Sequence, residues 1–83
     1  MDAVDREIVA LIATRVAYVR AAAKFKPTVE SVADPVRLQA VLSTRRAWAE
    51  DASLNGDAIE ALYRDLVAYC ISEEHKYWTS LNV

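Results

Sequence analysis

The chain has 83 residues, 54% of them apolar, with one glycine, one cysteine and a formal net charge of −2. That balance excludes the basic excess of a nucleic-acid binder and the one-sided Lys/Arg face of a membrane-surface helix, and no apolar run approaches the roughly 18 residues of a membrane span. The apolar fraction is too high for a disordered chain, and the length allows one domain, residues 1–83, whose own core would be marginal, so partner chains are expected.

The first predicted helix runs from about Asp2 to Lys26, where Pro27 ends it. Val4, Ile8, Leu11, Ile12, Val19 and Ala22 recur at three and four residues, a helical stripe into which Arg15 falls. At roughly 100° per residue, the eleven steps from Arg15 to Lys26 turn about 1100°, only about 20° beyond three full turns. Both cations therefore point to the same side, whereas Asp2, Arg6, Glu7, Arg20 and Lys24 project elsewhere, as solvated charges should. Burying two cations is costly, which points to an anion between them. The alternative is that each snorkels past its apolar neighbours into water.

A polar connector, Pro27 to Ala33, follows. The second helix starts at Asp34-Pro35, an N-cap acid with proline at the first helical position, and continues to about Asp51. Its apolar side holds Leu38, Val41, Leu42, Trp48 and Ala49, with Arg37 at the edge. Asn55-Gly56 marks the second turn, and Asp57 with Glu60 three residues later resembles a capping box opening the third helix. That helix runs to about Ser80 with a stripe of Ile59, Leu62, Tyr63, Leu66, Val67, Cys70 and Tyr77, and with Glu73 and Glu74 on opposite flanks. The fold class is therefore all-α: three helices, long, medium and long, without repeats or strand-like alternation. The long helices should each reach about 35 Å, more than a compact domain of this size is wide, and a dimer with first helices side by side would cover the excess stripe.

Arg15, Lys26 and Arg37 would make an apolar-walled pocket rich in cations and poor in anions, suited to a small dicarboxylate. No nucleophile triad, phosphate loop or metal cluster is apparent in the sequence, and no cofactor is expected. Such a pocket works by electrostatic stabilisation and positioning, which suits unimolecular reactions. His75, among Glu73, Glu74 and Lys76, reads as solvated. Cys70 alone builds neither a disulfide nor a zinc site and reads as a small buried residue. Asp2 and Asp5 stand where a signal peptide would be basic, so a soluble cytoplasmic protein is expected, with no nucleic-acid or membrane partner.

The stretches Arg15-Val-Ala-Tyr-Val-Arg-Ala-Ala-Ala-Lys-Phe-Lys26, Asp34-Pro-Val-Arg37, Arg46-Ala-Trp-Ala-Glu50 and Tyr69-Cys-Ile-Ser-Glu-Glu-His-Lys-Tyr-Trp78 together resemble the all-helical (type II) chorismate mutase family over almost the whole chain. The similarity is closest to its isochorismate pyruvate-lyase branch, which makes salicylate for siderophores. The resemblance implies an intertwined homodimer with two sites, each holding an enolpyruvyl cyclohexadiene dicarboxylate. By position, Arg15 would bind a carboxylate, Lys26 would close over the site and contact the ether oxygen, Arg37 would line the pocket, and Glu74 would face the same ether oxygen. Lys26 and Glu74 are thus the catalytic candidates; Arg15, Arg37 and Cys70 are the substrate-binding ones.

Three departures from the family pattern bear on function. Relatives donate an arginine across the dimer from about one turn before the position of Met1, and Met1 matches an internal position of their first helix, so the sequence is either trimmed or begins at an internal methionine, and it does not include that arginine. Leu38 stands where mutases usually carry a glutamate that recognises the ring hydroxyl, which favours the lyase. Glu74 stands where many relatives carry glutamine. The expected function is lysis of isochorismate to salicylate and pyruvate, with weak chorismate mutase activity. The alternatives are a chorismate mutase proper and a non-catalytic helical dimerisation or regulatory module.

Overall fold

A computed structural model describes residues 1–27 and 34–81. Its three helices are α1 (Asp2–Ala23), α2 (Pro35–Asp51) and α3 (Gly56–Leu81), with no strand among the described residues, so the all-α expectation holds. Most of the expected connector, residues 28–33, lies outside the described residues.

Helix α1 opens on Asp2 and Asp5, acids that complement the positive end of the helix dipole. It ends at Ala23, short of the expected Lys26. The amides of Phe25 and Lys26 donate three residues back, to the carbonyls of Ala22 (3.0 Å) and Ala23 (3.2 Å), which tightens the last turn. Pro27 disfavours a helical Lys26 and has no N–H with which to extend the ladder. The rotation count that aligned Arg15 with Lys26 therefore does not reach Lys26. The covered positions are Ile12, Val16, Val19 and Ala23, with Arg15 half-buried beside them, whereas Leu11 is 69% exposed and Ala22 is also exposed. The packed stripe thus lies one residue away from part of the expected one, because three- and four-residue spacings admit two adjacent lines on a helix.

Helix α2 begins as its sequence dictates: the Asp34 carboxylate accepts from the amides of Val36 (3.0 Å) and Arg37 (3.1 Å), and Pro35 follows the cap. Val41, Leu42 and Ala49 are buried, but Trp48 is 57% exposed. Its ring packs against the guanidinium of Arg45, 4.7 Å from the ring centroid, and Tyr63 approaches the same group at 5.7 Å. The Arg45 Nε is buried without a hydrogen-bond acceptor among the described residues, and aromatic faces take an acceptor's place. The helix closes with Ser53 N–H donating to the Glu50 carbonyl (3.0 Å) and Leu54 N–H to that of Ala49 (2.8 Å). This is a Schellman closure, and it puts Ser53 in the left-handed region at φ 63°.

The start of α3 corrects another expectation. Asn55, not Asp57, is the cap, its Oδ1 accepting from the Ala58 amide at 3.0 Å. Asp57 instead meets Arg46 at 2.6 Å, and Arg46 also reaches Glu50 (3.4 Å) and Glu60 (3.8 Å). A Cβ on Gly56 would lie 2.8 Å from Glu50 Oε1 and 3.0 Å from Arg46 Cγ, so a larger residue there would push these side chains aside.

The chain forms two compact units. One contains α1, the turn after it and residues 70–81 of α3, and its core includes Val16, Ala23 and Cys70. The other contains α2 and residues 56–69 of α3, and its core includes Val41, Leu42, Ala49 and Val67.

Candidate functional site

Spacing of four residues on α3 places Cys70, Glu74 and Trp78 along one side of the helix. Cys70 is 2% exposed and Glu74 6%, which makes Glu74 the buried charged residue among the described residues of its unit. A carboxylate is costly to desolvate, so burial pushes the Glu74 carboxyl above its ordinary value while the Lys26 ammonium opposes that rise. Burial is the larger effect. Lys26 is half-buried and forms no ion pair with Glu74, so its charge is felt at a distance. The Lys26 backbone is held as well, its carbonyl accepting from the Trp78 indole Nε1 at 2.9 Å.

Arg15, Lys26, Cys70 and Glu74 all belong to the unit built on α1. Arg15 is half-buried on α1 with no ion pair to another described residue. Arg37 belongs to the other unit, where it is exposed in the first turn of α2, and Leu38 beside it is half-buried. His75 is exposed, in keeping with its solvated reading.

The neighbouring acid is in the opposite situation. Glu73 accepts from Arg20 at 2.9 Å and lies 3.8 Å from Lys76; the Arg20 hydrogen bond is the main reason its carboxyl sits below the ordinary range. Arg20, Glu73, Lys76 and Tyr77 line an open groove on the same unit, with both cations committed to the one acid.

A buried carboxyl whose pKa is raised by desolvation offers a ligand oxygen a hydrogen-bond donor when it is protonated, with the positive charge of Lys26 in the same unit. Sequence reasoning missed the indole bond to Lys26. The signal available was the proline after Lys26, which frees that carbonyl for an outside donor.

The family model for chorismate mutase type II matches residues 1–75. The chain belongs to the chorismate mutase type II family. Within it, the isochorismate pyruvate lyase of Pseudomonas aeruginosa is 35% identical over 78 residues, covering 94% of this chain and 77% of that protein. The three-helix fold agrees with the chorismate mutase resemblance drawn from the motifs. Among the described residues, no helix is long and apolar enough to cross a membrane.

Proposed function

We propose that this chain is an isochorismate pyruvate lyase, acting as a cytoplasmic homodimer in salicylate formation for siderophores, with weak chorismate mutase activity in the same pocket. The observation that carries this reading is the burial of the Glu74 carboxyl in the unit that also holds Lys26, whose charge acts on it, and the half-buried Arg15. In the reaction, the ring carbon bearing the hydroxyl gives its hydrogen to the methylene of the enolpyruvyl group as the bond from ring to ether oxygen breaks. The ether oxygen becomes the carbonyl of pyruvate, and the ring becomes aromatic as salicylate. No external base or nucleophile is required. Negative charge developing on the ether oxygen is stabilised by Lys26 and by a protonated Glu74, while Arg15 and Arg37 hold substrate carboxylates and Cys70 packs against the substrate.

The dimer is supported by α1. Val4, Ile8, Leu11 and Tyr18 are exposed, and together with Arg15 they repeat at four, three, four and three residues, the spacing of a helix–helix seam. A second copy of α1 would cover that seam.

The test is turnover of isochorismate and of chorismate by the wild type, Arg15→Ala and Lys26→Ala. Arg15→Ala should raise KM and lower kcat, and Lys26→Ala should act mainly on kcat, because its contact strengthens in the transition state. A lost charged contact in a dry site is worth about 2 to 4 kcal/mol, or roughly 30- to 1000-fold in rate. Full turnover by both variants would refute the assigned site. A second reading, chorismate mutase proper, is favoured by the family match and disfavoured by Leu38; prephenate formation exceeding salicylate formation would select it.

A further inference from the structure

Lys26 lies outside α1, and a flexible lysine after a helix end would ordinarily wander. Two backbone bonds prevent this: its amide donates to the Ala23 carbonyl at 3.2 Å, and its carbonyl accepts from the Trp78 indole at 2.9 Å. Pro27 makes the second bond available, because a proline cannot continue the helix and biases Lys26 toward extended backbone. Trp78 stands four residues after Glu74, so both occupy one side of α3. A single helix face thus grips the lysine backbone at one turn and, at the turn before, carries the buried carboxyl on which the Lys26 charge acts.

We infer that Trp78 is a positioning residue for Lys26: its indole N–H fixes the exit of the chain from α1 and so aims the Lys26 ammonium at the space before Glu74. The indole touches the lysine backbone and needs no contact with substrate. This assignment rests on the proposed role of Lys26 in lysis. Its effect should therefore appear in kcat and vanish when the ammonium is gone, a pattern that simple packing by the ring would not give.

The experiment is a double-mutant cycle with isochorismate as substrate. Trp78→Phe keeps an aromatic ring and removes the donor; it should lower kcat by about 3- to 10-fold, the usual worth of one hydrogen bond, with KM changed by less than about twofold. In the Lys26→Ala background the same change should cost less than about 1.5-fold. An equal loss in both backgrounds would overturn the proposal. In the wild-type protein, the Trp78 indole N–H should exchange with solvent more slowly than that of the exposed Trp48, an internal control that needs no variant to fold. Equal exchange of the two would also overturn it. Should Lys26→Ala retain full turnover, the functional reading falls by itself. The anchor is then judged by limited trypsin digestion: severalfold faster cleavage after Lys24 in Trp78→Phe upholds it, and an unchanged rate removes it.

Discussion

Glu73 and Glu74 are adjacent in the chain, yet one carboxyl is held down by Arg20 and the other is pushed up by burial. Helical geometry separates them by about 100°, enough to turn one toward solvent and cations and the other toward the packed side. The consequence for pH follows from which state is favoured. Folded Glu74 holds its proton more tightly than the unfolded chain does, so the folded state binds more protons from the ordinary value of 4.5 upward to the raised one. Stability contributed by this group is therefore full below that window and declines as pH rises through it. Glu74→Gln should melt at a higher temperature than wild type at neutral pH, with the advantage shrinking toward pH 4 in a series of thermal melts. Activity should follow the same direction: wild-type kcat for isochorismate should fall with rising pH as the acid deprotonates, and Glu74→Gln, a donor that does not titrate, should flatten that limb. A wild-type rate that climbs from pH 5 to 8, with Glu74→Gln inactive, would mean that Glu74 works as an anion. Glu74 was legible as a candidate from the motif around it, but the balance between desolvation and Lys26 was not. That balance depends on how deeply the side chain packs, a tertiary property that no local pattern carries.

The start of α2 was readable because its chemistry is local: Asp34-Pro35 supplies both an acceptor for exposed amides and a preset φ. The start of α3 was legible only as a turn at Asn55-Gly56, and its cap falls on Asn55, two residues before the expected Asp57. The end of α1 was misplaced by three residues because a proline marks where a helix cannot continue, not where its hydrogen bonding first tightens. Asp57 looked like part of a capping box until Arg46, eleven residues upstream and on another helix, drew it away. Long-range ion pairs of this kind leave no periodic trace. The left-handed Ser53 likewise had no sequence signal, since the position after a helix cap usually announces itself with glycine. Ser53→Gly should relieve that backbone cost and stabilise the protein by about 1 kcal/mol without affecting turnover, which denaturant unfolding beside an activity assay would measure. A destabilised Ser53→Gly would mean that the serine side chain contributes more than its backbone costs.

At the scale of the whole molecule, the exposed seam on α1 is the feature that a single 83-residue chain leaves unanswered. Light scattering should give a species of twice 9.3 kDa at micromolar concentration, and Leu11→Glu should shift it toward monomer with loss of activity. A folded, active monomer would remove the second copy from the mechanism. The helix lengths that first pointed to a partner were legible because length follows from counting turns. The identity of the packed line on α1 was not, since it depends on which neighbour the helix meets.

The chain carries two tryptophans, and they fall one in each compact unit: Trp48 beneath Arg45 and open to water, Trp78 part-buried on the Lys26 carbonyl. Each unit thus has its own intrinsic fluorophore in a distinct environment. Emission from Trp48 should lie further to the red than that from Trp78, and Trp78→Phe leaves Trp48 as the sole reporter of its unit. A denaturant titration followed by emission therefore reads cooperativity directly: overlapping wild-type and single-reporter curves mean that the two units melt as one, and separated curves mean that the long third helix can fray in one unit while holding in the other.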